Sequence, residues 1–324
     1  MLTSIIWLIT GRCNGSCSFC YASKFRSLSE MSTNECLRVI REAGEMGVEH
    51  IGFSGGEPLF REDIFDLMSE AREYGIKLSL VTNGALIGEK KAKRLKNLDV
   101  FVYLSVDGLR KNHELVRGKG SWKYTKGAIK EMNKAGVDYS TITALNRLNY
   151  VEIKDIVEFS LIAGARYACF IPIMPFGRAT WEDVLTKEEI LKSLKLIDEV
   201  AKERDFPISL WCMPFALRFI DNFRVHVGCC RRADVMDIGV NGDVLLCDVL
   251  DIVLTSVKNK PLLKAFLEQE NHELSLKVSN PNLNKPCSNC RVRKRCLGGC
   301  YARSLSKFGK LNEKDPLCPV DRID

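Results

Sequence analysis

No apolar run in this sequence exceeds about five residues, far short of the roughly 20 that span a bilayer, and the N-terminus lacks a basic-then-apolar secretion signal. A soluble, cytoplasmic chain without a membrane partner is therefore expected. Histidine is scarce, at four residues in 324, and none lies near the cysteines that open the chain. That scarcity counts against a closed Cys–His zinc site there. Intrinsic disorder is excluded by a hydrophobic content of 46%, enough for one large domain and a smaller one. Cysteine, by contrast, is abundant. Fourteen thiols in a chain with no secretion signal point to metal rather than disulfides, because a reducing cytosol keeps thiols free, and they point to low oxygen.

Three of these thiols sit in one short loop. Gly11 to Tyr21 follows the apolar run Ile5, Ile6, Trp7, Leu8, Ile9 and places Cys13, Cys17 and Cys20 at CxxxCxxC spacing. Three thiolates so close in sequence can converge on one iron-sulfur cube and leave its fourth iron without a protein ligand, open to a small molecule. A zinc knuckle or a disulfide pair is the bland alternative. Phe19 supplies an aromatic wall rather than a ligand, and Gly11 and Gly15 suit a tight loop around a cofactor.

The loop, with its aromatic residue before the third cysteine, resembles the signature of radical S-adenosylmethionine (radical SAM) enzymes, and Ser54-Gly55-Gly56-Glu57-Pro58 looks like their second signature. The resemblance implies that the open iron chelates the amino and carboxyl groups of SAM's methionine moiety. It also implies that an electron from this cluster cleaves the sulfonium to a 5'-deoxyadenosyl radical. Phe19, Tyr21, Gly55, Gly56, Glu57, Asn83, Ser105, Asp107 and Arg117 are the expected cofactor-binding residues.

Residues 1 to about 180, within a first domain taken to about 205, read as alternating strands and helices: Ser4 to Thr10, His50 to Ser54, Lys77 to Thr82, Val100 to Asp107, Asp138 to Leu145 and Tyr167 to Met174, with helical segments between. The first helix runs from near Thr33, read as its N-cap, to Met46 before Gly47. Six βα units predict an α/β fold, a partial (β/α)6 relative of the TIM barrel, whose active site collects at the strands' C-terminal ends. The cysteine loop, Glu57, Asn83, Ser105 and Asp107 all fall at those ends. Glu57 is expected to meet a cation, which the resemblance makes the SAM amino group. Asn83-Gly84 is equally readable as an ordinary turn. Ser105 and Asp107 carry groups suited to a ribose. Arg117 is either a solvated surface residue or, as the resemblance implies, a partner of SAM's carboxylate. Lys187 to Arg204 reads as a packing helix.

From Cys229 the composition changes: Cys229, Cys230, Cys247, Cys287, Cys290, Cys296, Cys300 and Cys318 place eight thiols in about ninety residues. Cys287 to Cys300 alone has spacing acceptable for a zinc ribbon. The complete order resembles the SPASM extension of a subset of radical SAM enzymes, which holds two auxiliary 4Fe-4S clusters. Carried onto residues 206–324, the resemblance gives an inner cluster on Cys229 or Cys230, Cys247 and Cys300, with an unassigned fourth ligand. The outer cluster takes Cys287, Cys290, Cys296 and Cys318. Cys36, Cys169 and Cys212 read as small hydrophobes. Asp248 follows Cys247; in anaerobic sulfatase-maturating enzymes, similar in both cysteine fields, an aspartate there acts as a base, while an exposed turn residue is the alternative.

The formal charge of +7 counts cysteine as neutral. Eleven cluster thiolates against three cores of charge +2 cancel roughly five of those charges, so the basic balance is weak support for a nucleic-acid partner. The expected function is hydrogen abstraction from a peptide or protein side chain. Tetrapyrrole side-chain chemistry is the alternative, because Cys296-Leu-Gly-Gly-Cys300-Tyr-Ala-Arg also looks like haem-synthesis relatives. A non-catalytic electron carrier or a zinc-bound nucleic-acid module is the rival of another class. An electron donor of ferredoxin or flavodoxin type is expected. The chain begins almost at its first strand, so peptide recognition would call for a separate leader-binding protein.

Overall fold

The computed structural model of the chain describes residues 1–228 and 234–321. Six parallel strands form in the expected order: β1 (Ser4–Thr10), β2 (His50–Gly55), β3 (Lys77–Thr82), β4 (Val100–Ser105), β5 (Tyr139–Leu145) and β6 (Ala168–Pro172), each hydrogen-bonded to the next. Between them run α1 (Thr33–Glu45), α2 (Ile64–Glu73), α3 (Glu89–Asn97), α4 (Arg110–Arg117), α5 (Ser121–Ala135) and α6 (Ile153–Ile162). Such crossovers are what parallel neighbours require.

Alternation along the strands separates two environments. Trp7, Phe53, Leu80 and Leu104 face the helices and are fully buried, whereas Ile6, Gly52, Ser79 and Tyr103 face the lumen and line its cavity. The first helix is capped one residue earlier than expected. Ser32, not Thr33, accepts from the Glu35 amide, and Glu35 returns the bond to the Ser32 amide. A reciprocal pair of this kind satisfies two otherwise orphaned donors, which Thr33 could not do with Cys36 three residues on. Thr186 and Glu189 cap α7 (Lys187–Arg204) in the same way, at the bounds the periodicity gives.

The sheet runs past residue 205. β7 (Ile208–Leu210) and β8 (Val225–Val227) extend it in parallel beyond β6, while β9 (Val235–Ile238) pairs in parallel with β1 and carries the antiparallel β10 (Asp243–Leu245) and β11 (Val253–Ser256). The result is an eleven-stranded sheet in which the C-terminal residues flank both edges of the barrel. Beyond it lie α8 (Leu262–Asn271), α9 (Glu273–Ser279), α10 (Arg293–Cys296) and α11 (Tyr301–Phe308). Among the described residues, no helix is long and apolar enough to cross a membrane.

Candidate functional site

A cavity of about 740 Å³ opens at the C-terminal ends of the barrel strands, and Cys13, Cys17 and Cys20 line it together. A Cβ built on Gly15 would stand 3.6 Å from the Cys13 sulfur and 3.9 Å from that of Cys17, so the two thiols flank one point. The Gly15 amide donates to Cys13 Sγ at 3.2 Å, and Arg117 Nη1 lies 3.9 Å from Cys17 Sγ. Burial pushes both thiols above their usual pKa. Such thiols ionise when a cationic metal core meets them, and amide donors and a guanidinium then stabilise the anionic sulfurs. The donor set therefore fits an iron-sulfur cube held at three corners.

The loop is pinned from several sides. Arg178 Nη1 donates to the Cys17 carbonyl at 3.1 Å and its amide to the Cys20 carbonyl at 3.2 Å. Gly177, at φ +65°, lets this turn press against the Cys20 carbonyl, where any Cβ would collide. From sequence alone that turn, Pro175 to Arg178, does no more than close β6. Gly56 is held just as tightly against the Arg12 carbonyl.

Gly55, Gly56, Asn83, Ser105, Phe19, Tyr21 and Arg117 all line the cavity. Two expected contact residues do not. Glu57 is 1% exposed, and its carboxylate is committed to Thr82 Oγ1 at 2.8 Å, the Asn83 amide at 2.8 Å and the Leu59 amide at 3.2 Å. Through these bonds Glu57 fixes the end of β3 and so aims Asn83. Asp107, 0% exposed, forms an ion pair with Arg117 and accepts from the Ala144 amide at 2.6 Å. Burial raises its pKa while the guanidinium opposes the rise. Arg117 is no surface residue. Asp107 holds it beside Cys17, with its guanidinium carbon 5.7 Å from the centre of the Phe19 ring.

The variant Glu57→Ala leaves up to three donors unpaired in a buried turn, an expected stability loss of roughly 2–4 kcal/mol. Weaker SAM binding in anaerobic calorimetry should accompany it, and unchanged affinity would show that aiming Asn83 is immaterial.

At the opposite wall, Asp237, Cys247 and Asp248 bring their ligand atoms within 4.8 Å of one another. The Asp248 amide donates to Asp237 Oδ2 at 2.9 Å, and the Tyr21 hydroxyl donates to Asp248 Oδ2 at 2.7 Å. Asp248 is half-buried rather than an exposed turn residue, and desolvation pushes its carboxyl above the usual carboxylate range against the pull of Tyr21. Asp237 is not among the residues expected from the sequence; its signal is an acid set among the apolar residues of Val-Met-Asp-Ile.

Cys287, Cys290, Cys296 and Cys318 line a separate pocket of their own, while Cys247 and Cys300 line the main cavity. Burial pushes the Cys318 thiol up to about 11 and the Cys296 thiol higher still. Four such thiols in one pocket fit a closed metal site. Cys229 and Cys230 lie outside the described residues. Cys36 and Cys169 are fully buried away from both pockets, but Cys212, read from the sequence as a small hydrophobe, lines the main cavity.

Residues 7–160 match the model of the Radical SAM superfamily. The chain is 26% identical to the AdoMet-dependent heme synthase of Methanosarcina barkeri (strain Fusaro / DSM 804), over 97% of this chain and 95% of that protein. It is 28% identical to the mycofactocin maturase MftC of Mycolicibacterium smegmatis (strain ATCC 700084 / mc(2)155), over 97% of this chain and 82% of the maturase. Among solved structures it is similar in fold to native anSMEcpe with bound AdoMet and Cp18Cys peptide, with a TM-score of 0.82 at 21% identity, covering 98% of this chain and 93% of that one. Residues 7–160 thus carry a Radical SAM superfamily domain, and with a thiol triad at the barrel mouth and a cysteine-rich C-terminal extension the chain is an enzyme that uses SAM and 4Fe-4S clusters.

Proposed function

We propose that the chain modifies a peptide or protein side chain held between the Cys13–Cys20 loop and the Cys247–Asp248 turn. One observation carries this reading. The Tyr21 hydroxyl, beside the last cysteine of the first field, donates to Asp248, beside the first described cysteine of the second, so both fields face one cavity. When bound, SAM and its cluster supply the adenosyl radical that removes a hydrogen atom from the substrate, after reduction by a ferredoxin- or flavodoxin-type donor. The chain's own residues do the rest. Cys13, Cys17 and Cys20 hold the cluster, Gly55 and Gly56 admit the ligand close to the backbone, and Asn83, Ser105 and Arg117 present polar groups to it. Asp248, held in place by Tyr21, accepts a proton from the substrate side chain.

The wall composition supports a peptide. Among the described residues, Arg26 and Arg117 are the cavity's only lysine or arginine, and both are engaged, Arg26 near the Gly15 carbonyl and Arg117 with Asp107. A substrate with several carboxylates would leave those charges poorly paired. A separate leader-binding protein would deliver the peptide. The second reading is tetrapyrrole side-chain chemistry, favoured by the similarity to heme synthases along nearly the whole chain.

The test is anaerobic turnover with SAM, a reductant and either short peptides encoded by neighbouring genes or iron-coproporphyrin. A peptide mass change accompanied by 5'-deoxyadenosine supports the first reading; a porphyrin change with inert peptides replaces it with the second. Tyr21→Phe is expected to lower product formation roughly 10- to 100-fold while SAM cleavage without product persists. Product formed at the native rate would remove Tyr21 and Asp248 from the proton path.

A further inference from the structure

We propose that Cys212 is a metal ligand: its thiolate joins Cys247 and Cys300 in holding the inner auxiliary cluster. The position is built rather than incidental. β7 ends at Leu210, the Trp211 amide donates to the Phe170 carbonyl at 3.0 Å, and Cys212 follows at φ +56°, in the left-handed region. A non-glycine residue there costs on the order of 1 kcal/mol or more and persists only where its surroundings enforce it.

The enforcing group is Arg303. This arginine is 0% exposed, donates through Nη2 to the Cys212 carbonyl, and forms a buried ion pair with Asp315 at 2.6 Å. The same carboxylate accepts the Cys300 amide at 2.8 Å. One ion pair therefore grips the backbone of Cys212 on one side and of Cys300 on the other. Tyr301 completes the frame by donating its hydroxyl to the Leu246 carbonyl at 2.7 Å, which places Cys247. Cys212, Cys247 and Cys300 all line the main cavity, and the first two pack against the apolar cluster that contains Cys300.

Arg303 therefore stands between the two cysteine backbones that it and Asp315 hold. An inert packing cysteine needs neither a strained backbone nor a place in the cavity wall. Cys36 and Cys169 show that case: both are fully buried, neither has a left-handed backbone and neither lines the cavity. With Cys212, Cys247 and Cys300 assigned, at most one corner of the inner cube is left for a substrate, which favours electron transfer over substrate ligation.

The assignment rests on the auxiliary clusters, not on the peptide reading, and the experiment keeps the two apart. Full-length protein with Cys13, Cys17 and Cys20 all replaced by alanine, reconstituted without oxygen, isolates the auxiliary clusters at about eight irons. Adding Cys212→Ala is expected to remove up to about four irons or to yield a three-iron electron paramagnetic resonance signal absent from the background protein. Cys212→Ser, which offers an oxygen in place of the sulfur, should keep the iron but shift the Mössbauer spectrum and reduction potential of one cluster. Cys36→Ala and Cys169→Ala should leave iron and spectra unchanged. Iron content and spectra equal to the background in both Cys212 variants would overturn the assignment, as would equal losses in the Cys36 and Cys169 controls. A background protein without auxiliary iron would overturn it as well, while peptide turnover, measured by mass on the native chain, stands or falls separately.

Discussion

Formation of 5'-deoxyadenosine should fall at least about a thousandfold in Cys17→Ala, to the level of the metal-free protein. The cube is held at three corners, and Cys17 is the corner beside Arg117, whose guanidinium stands 3.9 Å from its sulfur. Without that thiolate only Cys13 and Cys20 remain, and Arg117, still paired with Asp107, loses the sulfur beside it. The second cysteine field should be spared, because Cys287, Cys290, Cys296 and Cys318 line their own pocket. Iron should therefore fall from about twelve to about eight atoms per chain. The reciprocal variant, Cys290→Ala, should keep SAM cleavage without product and lose turnover. Near-native cleavage in Cys17→Ala would dismiss the three-corner site.

The second large effect is structural. Asp315→Ala is expected to destabilise the protein by about 3–5 kcal/mol, because it strands a fully buried guanidinium. The carboxylate accepts the Cys300 amide at 2.8 Å and the Leu317 amide at 3.0 Å, while the backbone of Asp315 bonds Gly298 and Cys318. This one residue thus ties the pocket of the outer cysteines to the main cavity. The thermal midpoint should drop on the order of 10 °C, and auxiliary iron should be lost with it. Pairing Asp315→Leu with Arg303→Met should recover part of the loss by removing the unpaired charge. Removing the exposed partner of Lys187 with Asp321→Asn should leave the midpoint where it was. A stable Asp315→Ala protein with full iron would show that the hub is dispensable.

The barrel was legible because its signals are local. Strands β1 to β6 fall within two residues of their expected ends, each a short apolar run closed by turn residues, and α7 matches its periodicity. The strands β7 to β11 were not legible. They are three or four residues long, too short for a two-residue alternation to stand out, and β9 joins the barrel sheet by pairing with β1 some 230 residues earlier.

The site divided the same way. Cys13, Cys17 and Cys20 lie within one loop, where chain geometry alone keeps their sulfurs within reach of one centre, and the sequence determined that chemistry unaided. Which carboxylate faces a ligand depended on tertiary contacts. Glu57 and Asp107 sit at strand ends as expected, yet partners distant in sequence, the Thr82–Asn83 turn and Arg117, turn both carboxylates inward. Only the folded chain placed Asp237 against Cys247, Tyr21 against Asp248, and Cys212 under the Arg303–Asp315 pair. Spacing along a loop limits distance through covalent bonds, whereas contacts between segments far apart in the chain are fixed by the burial and pairing that assemble the sheet.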